Sequence, residues 1–192
     1  LKRRRVYVLA ALVSSAAATA MLAETTMPHL VSAETSGDSV IALLGYRTKA
    51  PGSWSPRPPA SSSRLAQFVI HGSDASSDGE VVAFFFGASQ GGNVDANLAR
   101  WRGQFSTPDG SPVPETIARD SSGAFPVTTA QFRGTYRRGV GAGSADSVRT
   151  GQTLVASIVE TPRGALFIQM FGPSATVAAH RAEFTKFVKE LK

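Results

Sequence analysis

Hydrophobic and polar positions divide the chain into short strands and two helices. Residues 81–86 are a continuous run of β-branched and aromatic side chains, set off by Ser76, Ser77, Asp78 and Gly79 before it and by Gly87 after it. Such a run predicts a strand buried on both faces. Residues 64–70 (RLAQFVI) predict another strand, and the polar loop 72–79 folds the two into an antiparallel hairpin. Past Gly91-Gly92 the period changes. Asn93 is placed to cap a helix, Asp95 puts negative charge in its first turn, and Val94, Leu98, Trp101 and Phe105 form one apolar stripe.

The remaining segments continue the pattern. A turn cluster at 107–112 leads to a short strand at 116–119, then residues 125–136 alternate Thr128, Ala130 and Phe132 against Val127, Thr129 and Gln131, as a half-exposed antiparallel strand does. Residues 139–151, rich in glycine and serine and without period, predict a loop. Residues 153–161 and 165–171 form a hairpin through Pro162-Arg163-Gly164. Gly172-Pro173-Ser174 stops the last strand and starts a second helix, with Val177, Phe184, Phe187, Val188 and Leu191 facing inward and Lys186, Lys189 and Lys192 toward its C-terminal end. Ahead of all these, residues 56–63 carry too much proline for a central strand and predict an edge crossing or a surface loop pinned by Trp54. Hairpins dominate over crossovers, which predicts an α+β fold, an antiparallel β-sheet flanked by helices.

Charge changes the picture at the N-terminus. Lys2, Arg3, Arg4 and Arg5 precede an apolar stretch of small residues, so residues 1–23 predict a secretory signal, with candidate cleavage after Ala20, Ala23 or Ala33. The chain would reach a membrane only if that leader stayed uncleaved. Residues 24–45 are expected to be a tether, with a short apolar patch at 40–44, and residues 46–192 a single domain that works in the periplasm or outside the cell. The formal charge of +6 comes largely from the leader: 20 Lys and Arg less those four leave 16 against 14 Asp and Glu, a net +2. No electrostatic case for nucleic acid survives. The absence of cysteine excludes disulfides and thiol catalysis.

Candidate chemistry centres on the glycine turn. Gly87-Ala88-Ser89-Gln90-Gly91 satisfies G-x-S-x-G between a strand and a helix, the setting of a nucleophile elbow. The partner in chain order would be His180, which falls inside the second helix rather than on a loop, and no strand-helix crossovers precede the serine. A second use of the turn is to point the N–H groups of Gly91, Gly92 and Asn93 at an anion. The three histidines, at 29, 71 and 180, offer no HExxH and no metal spacing, so no metal and no cofactor is expected.

The motif F-G-x-x-Q-G-G followed by N-x-x-R-W-x-x-Q-F, carried by Phe86, Gly87, Gln90, Gly91, Gly92, Asn97, Arg100, Trp101, Gln104 and Phe105, resembles a family of uncharacterised secreted bacterial proteins. That family's pattern does not require serine at the position of Ser89. The layout also resembles the fold of PsbP, the extrinsic photosystem protein, whose fold members are as a rule assembly or binding proteins. The resemblance implies a ligand or partner surface at Gln90, Gly91, Gly92, Asn97 and Arg100. The expectation is an exported envelope protein that binds a small ligand or another envelope protein without catalysis. The alternative is a serine hydrolase using Ser89 and His180.

Overall fold

A computed structural model describes residues 37–121, 123–137 and 148–192. The leader, its cleavage sites, His29, most of the tether and positions 139–147 of the glycine-rich loop lie outside the described residues. Among the described residues the strands and α-helices are, in chain order, β1 (Ser39–Leu43), β2 (Tyr46–Ala50), β3 (Trp54–Arg57), β4 (Arg64–Ile70), β5 (Gly79–Phe84), α1 (Val94–Arg102), β6 (Phe105–Ser106), β7 (Glu115–Asp120), β8 (Val127–Arg137), β9 (Val148–Thr161), β10 (Gly164–Pro173), α2 (Ser174–Ala179) and α3 (Arg181–Lys189).

Eight strands form one antiparallel sheet in the order β3-β4-β5-β10-β9-β8-β6, with β7 sharing the outer edge of β8 beside β6. The long hairpin β9-β10 takes the centre, so β10 pairs with β5 rather than with a sequence neighbour. Period-two alternation then assigns each central side chain to one of two cores. Leu154, Ala156, Ile158 and Phe167 meet Leu98, Trp101 and Phe105 of the α1 face, while Val155, Val159, Leu166, Ile168 and Met170 meet Val177, Phe184, Phe187, Val188 and Leu191 of the α2-α3 face. Apolar residues on both faces of β9 and β10 are why those strands read as continuous hydrophobic runs.

Four expectations are corrected. The tether does not run to residue 45, because Ser39–Leu43 pairs with Tyr46–Ala50 and Leu43 is fully buried. Leu44 and Gly45 have φ of 54° and 86°, the pair of positive values that closes a two-residue hairpin. The Arg163 guanidinium donates to the Leu44 carbonyl and ties this hairpin to the β9-β10 turn. Strand β5 ends at Phe84 rather than residue 86, since the chain turns away and leaves Phe86 41% exposed, stacked on Phe84 at 5.9 Å. The second helix is two, α2 and α3, meeting at His180, whose φ and ψ of −94° and 5° leave the helical region. Finally, positions 148–151, expected in the loop, belong to β9.

The proline-rich segment begins in β3 on the sheet edge, with Pro56 and Arg57, and continues from 58 to 63 as a loop. Trp54 is buried against Phe68 and Phe187 at ring distances of 5.6 and 5.2 Å.

Candidate functional site

The glycine turn leads into a helix as the sequence suggests, and the side chains of Asn93, Asn97 and Arg100 are spent on the turn and that helix. The Asn93 side chain accepts from the Ala96 N–H at 2.8 Å, capping α1. Asn97, buried, donates from Nδ2 to the Gly91 carbonyl at 2.7 Å and the Asn93 carbonyl at 2.8 Å, and its Oδ1 accepts from Arg100 Nη2 at 2.6 Å. Arg100 also lies over the Trp101 ring, 6.0 Å from its centre. Asn97 and Arg100 thus clamp the turn onto the helix. Gln90 and Gly92 are exposed. The concavity at Gly92 and Asn93 is shared with two carboxylates, Asp95 and Glu160, which oppose an anion at those N–H groups.

Ser89 and His180 are not brought together. Ala88 abuts Gly164, so the exposed Ser89 sits beside the β9-β10 turn, at the Phe84 end of β5. His180 Nε2 donates to the His71 carbonyl at 3.1 Å, next to the other end of β5, where Ile70 pairs with Gly79. Six strand residues separate those ends, on the order of 17–20 Å. His180 Nδ1 is also occupied, 2.7 Å from Glu183 Oε2. Both nitrogens are thus engaged at the far end of β5, away from Ser89.

Around His180 lies a polar network that joins distant parts of the chain. Glu183 accepts from His180, from Ser53 Oγ at 2.8 Å and from Trp54 Nε1 at 3.0 Å. Burial pushes its carboxyl up, but the hydrogen bonds from His180, Ser53 and Trp54 together outweigh that and hold it below its ordinary value of 4.5. A depressed folded value stabilises the fold above 4.5, and the contribution is lost as pH falls through the lower, folded value. Unfolding midpoints of wild type and Glu183→Gln are therefore expected to differ at pH 7 and to converge only as pH falls through the lowered, folded value. A constant gap across that window would remove the ionised Glu183 from the account.

A second chain of contacts was not foreseen. Ser55 Oγ is 2.8 Å from His71 Nε2, and His71 Nδ1 is 3.2 Å from Asp78 Oδ2, which also accepts from the Gly72 N–H through its other oxygen. The order is that of a Ser-His-Asp triad. It sits on the sheet edge with half of the His71 side chain in solvent, and neither Ser55 nor His71 lines the cleft described next. No local sequence signal could reveal it, because β3, the end of β4 and the loop before β5 meet only through strand pairing.

A small cleft with mainly apolar lining opens between α3 and the strands β7, β8 and β9, with a volume of about 150 Å³. Val127 and Val159 floor it, and Phe184, Val188 and Leu191 wall it. Two polar features enter. Thr129 Oγ1 and Ser157 Oγ share a hydrogen bond of 2.7 Å across β8 and β9. Arg181, partly buried, has a single long contact, 3.4 Å from Nη1 to Gln131 Oε1, and no carboxylate partner among the described residues. Burial lowers the affinity of its guanidinium for the proton. At the rim Lys189 neutralises Asp120 at 2.9 Å. A signal for Arg181 was present. It precedes Phe184 by three and Val188 by seven, on the apolar stripe, and a cation in a helix's first turn opposes the helix dipole.

A more polar groove on the α1 face has its central charges paired, Arg64 to Glu80 at 3.6 Å, with Arg64 also over Phe84. Among the described residues there is no cluster of His, Asp and Glu able to hold a metal, and no helix long and apolar enough to cross a membrane.

No protein-family model matches the chain, and no curated protein matches it by sequence. Solved structures do. The solution structure of cyanobacterial PsbP (CyanoP) from Synechocystis sp. PCC 6803 superposes with a TM-score of 0.51 at 9% identity, over 84% of this chain and 95% of that one. A protein of unknown function from Pseudomonas aeruginosa, PA94, described as a putative regulator, matches with a TM-score of 0.41 at 14% identity, over 81% of this chain and 96% of that one. At such identity the likeness to PsbP concerns the fold alone: this chain is an α+β domain with a PsbP-like antiparallel sheet between helices.

Proposed function

We propose that the protein is an exported, non-catalytic binding or assembly protein of the cell envelope, and that it takes a small ligand in the cleft between α3 and the sheet. The observation that carries this is Arg181, a partly buried cation set in an apolar recess without an anionic partner among the described residues. A charge removed from water is retained where something compensates it. Export rests on the basic and apolar leader. The F-G-x-x-Q-G-G motif supports kinship with uncharacterised secreted bacterial proteins, although its residues serve the turn more than a surface: Asn97 is buried and Arg100 holds it. Native mass spectrometry of the full chain, recovered from the envelope or medium of an expressing cell, tests both parts. The expected result is a chain shortened at Ala20, Ala23 or Ala33 carrying a small-molecule adduct that dissociates on activation. An intact, cytoplasmic chain would sink export, and a bare chain that takes up no small molecule would sink the ligand.

A second reading has one specific observation in its favour, the Ser55–His71–Asp78 chain, in which the Ser55 hydroxyl could pass its proton to His71 Nε2. Treatment with a fluorophosphonate separates the readings. The binding protein is expected to remain unlabelled. Stoichiometric labelling mapped to Ser55 and abolished by Ser55→Ala would make this a hydrolase, and labelling of Ser89 would restore the elbow.

A further inference from the structure

We propose that the cleft binds a small monoanionic carboxylate whose body is a single aromatic ring or a short aliphatic chain, with the carboxylate on Arg181. This rests on the reading of the cleft as the ligand site and adds the chemistry of the ligand.

Size sets the body. A cavity of about 150 Å³ with apolar walls accommodates one benzene-sized group. Val127, Val159, Phe184, Val188 and Leu191 offer it no polar partner, so that body is hydrocarbon.

Charge sets the head. Arg181 has five N–H donors and spends one of them on a long contact with Gln131, leaving the planar fork that matches a carboxylate at two points. The two carboxylates nearest in character are already committed: Asp120 is paired with Lys189, and Glu183 is held by His180, Ser53 and Trp54. Neither repels an incoming anion as a bare charge would.

A further donor lies beside Arg181. Thr129 and Ser157 together carry two hydroxyl protons, and their mutual hydrogen bond uses one. The other has no protein acceptor among the described residues. Thr129 stands two residues from Gln131 on the same face of β8, about 7 Å along the strand. Arg181, in contact with Gln131, and the hydroxyl pair thus line one recess from neighbouring positions of β8, and the carboxylate is placed with one oxygen toward each. The hydrocarbon body then lies over Val127 and Val159.

The test compares charged ligands with neutral ones of the same shape. Benzoate and hexanoate are titrated into the full-length wild-type chain beside benzyl alcohol and hexanol, by calorimetry and by amide shifts. The carboxylates are expected to bind about tenfold tighter than their alcohols, with shifts confined to the cleft. Arg181→Gln is expected to weaken the carboxylates far more than the alcohols and so erase that preference, and Arg181→Lys to keep part of it. Equal affinity of acid and alcohol in the cleft would overturn the anion and leave the binding reading standing. Binding of none of the four at millimolar concentration would overturn both. The wild-type comparison of acid with alcohol decides the matter even if Arg181→Gln fails to fold.

Discussion

Gly91→Val is expected to cost the fold about 4 kcal/mol, through backbone strain and overpacking acting together. Gly91 has a φ of 96°, which a β-branched residue adopts only under strain of about 1–3 kcal/mol. A Cβ there would stand 2.7 Å from the ring of Phe167, which is 1% exposed, so the ring or the turn must shift. Overpacking of that kind costs about 1–3 kcal/mol more. Gly92→Ala provides the contrast. Its φ of 77° imposes strain, but the nearest atom to an added Cβ is 3.5 Å away, so the cost should be about 1 kcal/mol. Urea denaturation checks both, and similar midpoints for the two variants would remove the Phe167 contact from the explanation.

Phe184→Ala is expected to be equally damaging, at about 3–5 kcal/mol. Phe184 is 1% exposed and belongs to the core between α3 and the sheet while also walling the cleft. Truncation therefore enlarges an existing recess instead of making an isolated void. Two readouts follow: a lower midpoint by denaturation, and partial recovery of that midpoint by a saturating hydrocarbon ligand too bulky for the wild-type cleft. A lowered midpoint without recovery by any such ligand would mean that the cleft closes over the lost ring.

Where local pattern governs, the sequence was informative. Asn93 as a cap, Leu98 and Trp101 on the inward face of α1, the alternation along β8 and the β9-β10 hairpin depend on neighbours within a turn or a strand, and all are present. Phe105, expected on the same helical stripe, reaches that core from β6 instead, because α1 ends at Arg102. Pairing over distance was not legible. Nothing near Gly164 announces that its strand will insert beside β5. His180, at the break between α2 and α3, has its side-chain partner 109 residues away. The candidate site divides the same way. The motif residues are close in sequence and visible, and they prove to brace one another. Arg181, Thr129 and Ser157 come from three elements, and only the sheet with α3 packed on it places them in one recess. The G-x-S-x-G pattern misleads because it describes a turn, whereas catalysis needs a partner that the fold puts at the far end of β5.

The central claim is that the recess between α3 and the sheet is the binding site. Amide and methyl shifts of the labelled full-length chain, recorded as a small set of ring-sized acids and alcohols is added, test it most directly. The expected result is saturable change at Val127, Thr129, Ser157, Val159, Arg181 and Val188, abolished by filling the recess with Val188→Trp. Saturable change elsewhere, at the glycine turn or in the groove lined by Arg64 and Glu80, or change that survives Val188→Trp, would contradict it.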